Sequence, residues 1–463
     1  MRLTSERFHL VGVGGAGMSG LARLLHGSGA TVTGSDACPN AVLEALTREG
    51  LRVWTGAHPE ALEGENGYVV RSAAVPATDV EVEACEKRGY TSLLYAEAVG
   101  RLSEGKRTLA IAGTHGKTTT TALTVSALRG SGLDPSHLVG GDIPELGGNG
   151  HGGKDDLFVV EACEFNRSFH QLRPYGAAVL NVDPDHFDCY PTTQELDAAF
   201  ATYLGRVRPG GVALVGETVP AEVTRELVAG GGVGSDVRIL RVGSGLFADV
   251  RAVDVREAQG RYEFTPMVEG RRLPRVRLGL SGRFQVGNAL CALGLALAAG
   301  ADPEGAVRGI SGFGGVRRRF ELHAGRRGSM LINDYAHHPA EIRVVLRAAR
   351  QRFPGRRMLV AFQPHQHQRT LHLLEQFAEV LAEAEHSLVL DIYGAREPAE
   401  IRARVSAGDL VRAVCARGGS CAEGGPVAGL PDRLRPLVAE FDLILLLGAG
   451  DIDSVVGDVT GLL

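Results

Sequence analysis

The chain has 463 residues, 44% of them hydrophobic, and a mean hydropathy near zero, which fits a globular protein of about two to three domains, each burying its own core. A net charge of −5 gives no global basic field, so nucleic acid is not an expected partner, and no apolar run approaches a membrane span. Seven cysteines without a Cys-x-x-Cys pair point to a reducing compartment and no zinc site, and the N-terminus reads as a strand rather than a signal, so the cytoplasm is expected.

The first segment opens with a predicted strand, Phe8 to Val13, and a helix carrying Leu21, Leu24 and Leu25. Between them Gly12, Gly14 and Gly17 satisfy Gly-x-Gly-x-x-Gly. A second strand, Thr31 to Thr33, leads to Asp36, nineteen residues beyond Gly17. This is a dinucleotide fingerprint: a diphosphate at the helix N-terminus and a carboxylate for a ribose hydroxyl. It does not separate NAD from other nucleoside diphosphates, so a dehydrogenase stays open, as does a tight turn without ligand. Trp54-Thr-Gly-Ala-His58 and Arg71 to Val75 end further strands, where doubly wound sheets place ligand loops. A lone histidine such as His58 is more often structural. Leu93 to Leu102 reads as a helix and Ser103-Glu-Gly105 as a linker.

The strongest motif follows. An apolar strand, Leu109 to Ala112, runs into Gly113-Thr-His-Gly116-Lys117-Thr118-Thr119 and a helix through Ala122, Val125 and Leu128. Glycines at 113 and 116 allow a tight backbone whose N–H groups converge on an anion at the helix start. Lys117 adds a mobile charge for the outer phosphates of ATP, and the Thr118 hydroxyl suits Mg²⁺. The spacing is two residues shorter than the ordinary phosphate loop. With only four lysines beside forty-five arginines, Lys117 does not read as surface filler. Two apolar strands then end in carboxylates, Phe158 to Glu164 and Val179 to Asp188. Several unpaired carboxylates at buried strand ends call for a cation, most simply Mg²⁺ with oxygen ligands and one imidazole, although Asp183 and Asp185 also suit helix caps. Residues 205 to 280, with a loop at Gly230-Gly-Gly232, suggest antiparallel elaboration, and an apolar helix spans Ala289 to Ala299.

Near the C-terminal part, Arg317-Arg-Arg319 marks a hinge. A strand from Leu331 ends in Asp334-Tyr335-Ala-His337-His338-Pro339, and a helix runs from Ala340 to Arg350. Adjacent histidines cannot share one helix face, so at most one points at a ligand. Met358 to Phe362 leads to Gln363-Pro-His365-Gln-His367-Gln-Arg369. Tyr393 to Glu397 and Leu445 to Asp451 finish two more strands of a second Rossmann-like sheet.

Gly14-Gly-Ala-Gly-Met-Ser-Gly20, Gly113 to Thr119, Glu161-Ala-Cys-Glu164 and Asp185-His186-Phe-Asp188, in that order and spacing, resemble the Mur ligases, and the later motifs extend the resemblance over essentially the whole chain. It implies an α/β protein of three domains: a Rossmann-like UDP-sugar-binding domain at 1–105, a central P-loop ATPase-like domain at 106–315 that binds ATP, and a Rossmann-like amino-acid-binding domain at 316–463. By the same resemblance Gly14, Gly15, Gly17, Met18, Ser19, Asp36 and His58 hold a UDP-sugar rather than NAD. Gly113, Thr114, His115, Gly116, Lys117, Thr118 and Thr119 hold ATP with Asn288, Arg319 and Asp334. Thr118 and Glu161 take the Mg²⁺ between phosphates, and His186 a second metal near the sugar carboxylate. Tyr335, His337 and Arg369 receive the amino acid. Lys117, Glu161, His186 and His337 are the expected catalytic set.

The implied reaction joins the lactyl carboxylate of UDP-N-acetylmuramate to L-alanine through an acyl phosphate, with closure of the domains, in a monomer or weak homodimer. A ligase of the same type using another amino acid or a peptide, or a catalytically silent homologue, is the alternative. Phe284 and Gln285 stand where the family usually has His and Asn, and Gln366 where it usually has a second arginine.

Overall fold

The computed structural model describes residues 6–62, 64–185, 189–228, 236–325, 328–394 and 397–463. Two compact units emerge, one reaching Asp254 and including Phe264–Arg277 and Val286–Phe313, the other formed by Val255–Glu263, Leu278–Gln285 and Gly314–Leu463. No helix among the described residues is long and apolar enough to cross a membrane.

The first unit begins with a parallel five-stranded sheet in the order Arg52–Thr55, Thr31–Asp36, Arg7–Val11, Gly67–Arg71, Tyr90–Leu94. Arg7–Val11 lies in the middle, with Phe8 and Leu10 buried. Its neighbour Gly34 has no room for a side chain, because a Cβ there would lie 2.7 Å from the Leu10 carbonyl oxygen. Helix Tyr95–Glu104 starts two residues later than the sequence suggests, since Leu93 and Leu94 complete a strand; Ser103 and Glu104 belong to the helix rather than to a linker.

A larger sheet is built mainly from the rest of this unit. Arg107–Ala112 sits between Gly176–Val179 and Leu157–Glu161, parallel to both, with Ile111 beside Glu161 and Ala112 beside Val179. That placement explains the site: both acid-tipped strands flank the strand that feeds the glycine loop, and all three end at one edge, where α/β sheets bind ligands. Val212–Gly216 and Arg238–Gly243 extend the sheet in parallel, contrary to the expected antiparallel elaboration. The helices Thr193–Leu204 and Ala221–Val228 provide the crossovers that parallel neighbours require. Antiparallel pairing enters with Arg261–Val268 and Arg271–Arg272. Gly230 to Gly232 lie outside the described residues.

The two sheets of this unit are fastened through helix Ala16–Gly27. A Cβ on Gly150 would fall 1.9 Å from the Gly20 carbonyl oxygen. The Asn149 amide donates to Ala16 O and Ser19 Oγ, at 2.6 and 3.1 Å, and accepts from Arg23.

The second unit carries a six-stranded sheet in the order Glu321–Ala324, Met330–Asp334, Leu443–Leu447, Met358–Phe362, His386–Leu390, Cys421–Gly425. Among the described residues, the first pair is antiparallel and the rest are parallel. Leu443–Leu447 and Met358–Phe362 are buried throughout, as strands covered on both faces must be.

Candidate active site

The glycine loop owes its path to two backbone conformations that side chains resist. Gly113 has φ +142° and Gly116 φ +83°. A Cβ at 113 would press Leu180 at 3.0 Å, and one at 116 would meet Asn288 Oδ1 at 2.8 Å. The loop is strapped to the second acidic segment: Thr114 N donates to Asn181 O, His115 N donates to Asn181 Oδ1 at 2.8 Å, and Asp183 N donates to Thr114 Oγ1 at 2.9 Å. With the Thr114 and His115 amides so engaged, the N–H groups suited to an anion are those of the first turn of helix Lys117–Gly130, which have no acceptors within the helix.

Lys117 folds back over this turn. Its ammonium donates to Gly113 O, to Thr114 O at 3.0 Å and to Glu164, with both carboxylate oxygens 3.0 Å away. Burial opposes the charge on Lys117, but the Glu164 carboxylate, helped by Cys163 and Glu161, outweighs it and holds the ammonium above the ordinary lysine range. The lysine is therefore charged at neutral pH.

Thr118 and Glu161 form the adjoining pair, with Thr118 Oγ1 3.2 Å from Glu161 Oε1. The other oxygen, Oε2, accepts from the Gly140 amide at 2.8 Å. A Cβ on Gly140 would lie 2.5 Å from it, so the glycine leaves the space the carboxylate occupies. A hydroxyl and a carboxylate beside this glycine turn are an all-oxygen donor set, which fits Mg²⁺. His186, Phe187 and Asp188 lie outside the described residues.

In the first sheet, Gly14 N donates to Asp36 Oδ2 at 2.9 Å, so the acidic residue pins the glycine loop directly. Gly17 faces Tyr95, whose ring would be 3.0 Å from a Cβ. Burial raises the Tyr95 phenol, and the charges of Glu161 and Cys163 add to it. Nothing in the sequence singles it out. Met18 and Ser19 face inward at 3% and 1% exposure: Met18 packs in the core and Ser19 bonds Ala16 and Asn149. The Ser19 amide is engaged as well, donating to Gly15 O at 2.8 Å. His58 is held by its amide on Glu81 and by its ring beside Glu60.

On the second unit, Asp334 is buried and both its oxygens accept backbone amides, from Phe320 at 2.6 Å and Ala336 at 2.8 Å. Arg318 and Phe320 on either side of Arg319 adopt left-handed φ values, 58° and 51°. Arg318 braces this strained turn through Gly448 O, Gly450 O and Asp453. Both Arg318 and Arg319 lie over the Tyr335 ring, at 4.8 and 4.9 Å. The adjacent histidines divide their labour. His338 caps helix Pro339–Arg352, while His337 Nδ1 meets Tyr335 O at 3.0 Å and its ring lies edge-on to His365. In the neutral ring, donation from Nδ1 to a carbonyl leaves the lone pair on Nε2. Arg369, 5% exposed, donates to His365 Nδ1 and O at 3.3 Å. Gln366, in the place of the usual arginine, has a left-handed φ of 71°. Arg396 lies outside the described residues.

Burial pushes the Asp334 carboxyl up to about 6, against the pull of Arg319 and the two amides. A carboxyl that ionises later when folded favours the folded state while protonated. Its contribution is greatest below 3.8 and is lost as pH rises through about 6. A rise from 3.8 to about 6 is worth roughly 3 kcal/mol of preference for the protonated form. The stability difference between wild type and Asp334→Asn should therefore shrink by about that amount between roughly pH 4 and 7; a flat difference in denaturant titrations would refute the raised carboxyl.

Family models match in succession along the chain: the Mur ligase catalytic domain at residues 7–107, the Mur ligase middle domain at 111–296 and the Mur ligase glutamate ligase domain at 318–450. UDP-N-acetylmuramate–L-alanine ligase of Kineococcus radiotolerans is 39% identical, over 99% of this chain and 96% of its own. The same-named protein of Mycolicibacterium vanbaalenii is 38% identical, over 96% and 94%. Among solved structures, a UDP-N-acetylmuramate–alanine ligase from Thermotoga maritima aligns with a TM-score of 0.77 at 23% identity, and a murein peptide ligase from Psychrobacter arcticus with 0.71 at 23%, each over 98% of both chains. With three successive domain models matched and relatives this similar along nearly its whole length, the chain belongs to the Mur ligase family.

Proposed function

We infer that this chain is an ATP-dependent ligase that joins L-alanine to the lactyl carboxylate of UDP-N-acetylmuramate, a step of peptidoglycan precursor synthesis. The observation that carries the reading is the convergence of the Lys117 ammonium, the Thr118 hydroxyl and the Glu161 carboxylate on the first turn of one helix. A carboxylate does not react usefully with an amine. Phosphoryl transfer turns it into an acyl phosphate, whose leaving group is phosphate, and that transfer is a matter of positioning and charge. Lys117 and the first-turn amides hold the transferring group and offset its charge, so no covalent enzyme nucleophile is needed. Thr118 and Glu161 would hold Mg²⁺, which supplies further charge neutralisation when bound, and His186 is proposed for a second metal.

Gly113 to Thr119, Asn288, Arg319 and Asp334 are proposed to serve ATP. Gly14, Gly15, Gly17, Met18, Ser19, Asp36 and His58 are proposed to serve the UDP-sugar. Tyr335, His337 and Arg369 serve the amino acid. The Nε2 lone pair of His337 suits a proton leaving the attacking amine, and Arg369 suits the alanine carboxylate. Boundaries at 105 and 315 are proposed for the three domains.

The test is phosphate release by purified protein with Mg²⁺-ATP and UDP-N-acetylmuramate across a panel of alanine, serine and glycine. Alanine should give the highest kcat/KM; release with none of them, or a clear preference for another, would sink the reading. Arg369→Ala should raise the alanine KM about 10- to 100-fold with a smaller change in kcat, the size of a lost charge-assisted hydrogen bond. An unchanged KM would remove Arg369 from the amino-acid site.

A further inference from the structure

Glu164 has no part in the chemistry described above, yet among the described residues it is the most buried carboxylate near the glycine loop, at 2% exposure. Its neighbours differ sharply: Cys163 is exposed and Phe165 is 37% exposed. The backbone forces the inward turn. Tyr190 Oη and Arg167 N both donate to Glu164 O, at 2.6 and 2.9 Å. Asn166 and Arg167 then take consecutive left-handed conformations, φ 54° and 53°, which non-glycine residues adopt only when their surroundings impose it. The side chain is thereby aimed at Lys117, with both oxygens 3.0 Å from Nζ.

An ammonium has three N–H donors. Here the acceptors are Gly113 O, Thr114 O and the Glu164 carboxylate. A phosphate oxygen that takes a hydrogen bond from Lys117 must displace one of them, and Glu164 is the anionic one. We propose that Glu164 is a positioning residue that competes with the terminal phosphate of the nucleotide for Lys117, drawing the ammonium down onto the loop and limiting how tightly the site grips ATP. The proposal rests on the ATP reading of this loop. It assigns the carboxylate an effect of unusual sign: its removal tightens nucleotide binding.

The experiment measures Kd for the non-hydrolysable analogue AMP-PNP with Mg²⁺ by calorimetry, in wild type, Glu164→Gln, Lys117→Ala and the double variant, with thermal melts to confirm folding. Glu164→Gln keeps an acceptor oxygen for Lys117 but loses the charge, so Kd should fall about tenfold, equivalent to roughly 1.4 kcal/mol. In the Lys117→Ala background the same change should leave Kd alone, because there is no ammonium to release. A merely structural carboxylate would weaken binding instead. Unchanged or weaker binding by folded Glu164→Gln overturns the proposal, as does equal tightening in the Lys117→Ala background. If Glu164→Gln does not fold, Glu164→Asp, which draws the charge back by one methylene, decides by the same sign. Failure of the ATP reading looks different: wild type would not bind AMP-PNP, or Lys117→Ala would bind it equally well.

Discussion

Lys117→Ala should abolish phosphate release, with a loss of at least about 10³-fold in kcat, the scale of removing a preorganised charge from a developing anion. The same substitution should also cost stability. It strips the counter-charge from Glu164, which is 2% exposed, and breaking a buried pair from one side costs roughly 3–5 kcal/mol because the other charge is left alone. The pH range is set by the lysine. Its folded-state value is raised above 10.5, so the pair's contribution is fully present below that pH and is lost only as pH climbs through the raised value. A melting difference between wild type and Lys117→Ala should therefore be visible throughout the neutral range. Adding Glu164→Gln to Lys117→Ala should recover much of the lost stability without restoring turnover, since the amide needs no counter-charge. Turnover near the wild-type rate in a folded Lys117→Ala protein would end the assignment of the loop.

What can be read in the sequence follows from where single residues bear the constraint. Gly113 and Gly116 are legible because φ values of +142° and +83° exclude most side chains, and because the strand before them and the helix after them carry clear apolar periods. Strand ends such as Glu161 are legible because charge rarely finishes a buried strand idly. Contacts between distant segments are not legible. Nothing local announces that Asn149 will hold the helix of Met18 and Ser19, or that Tyr95 will cover Gly17. Met18 and Ser19 sit within a glycine-rich motif, so they invite a ligand role, yet the helical period turns their side chains inward. Asn288 is assigned to ATP only by resemblance, and nothing local announces that its side-chain oxygen will lie against Gly116 of the loop. That both oxygens of Asp334 accept backbone amides is likewise something the residue type alone cannot disclose. Glu164 stands in plain view beside Glu161, but its inward aim depends on two left-handed residues downstream that no composition rule requires.

Glu161→Ala should reduce turnover about 10²- to 10³-fold, because it removes the carboxylate that, with Thr118, is fitted to carry the cation beside the phosphates. Gly140 supplies a graded version of the same test. It does not have a left-handed φ, so alanine is tolerated by the backbone, and its one effect is to place a methyl 2.5 Å from Glu161 Oε2. The carboxylate must then shift and give up the Gly140 amide, which holds it at 2.8 Å. Gly140→Ala should accordingly raise the Mg²⁺ concentration needed for half-maximal phosphate release while leaving the maximal rate largely recoverable at high Mg²⁺. Glu161→Ala should not recover. The two variants separate placement of the carboxylate from its presence, a distinction that activity at one metal concentration would miss. A Glu161→Ala protein with the wild-type rate and wild-type Mg²⁺ dependence would show that the cation is held elsewhere, and the pairing of Thr118 with Glu161 would then be no more than a hydrogen bond at a helix start.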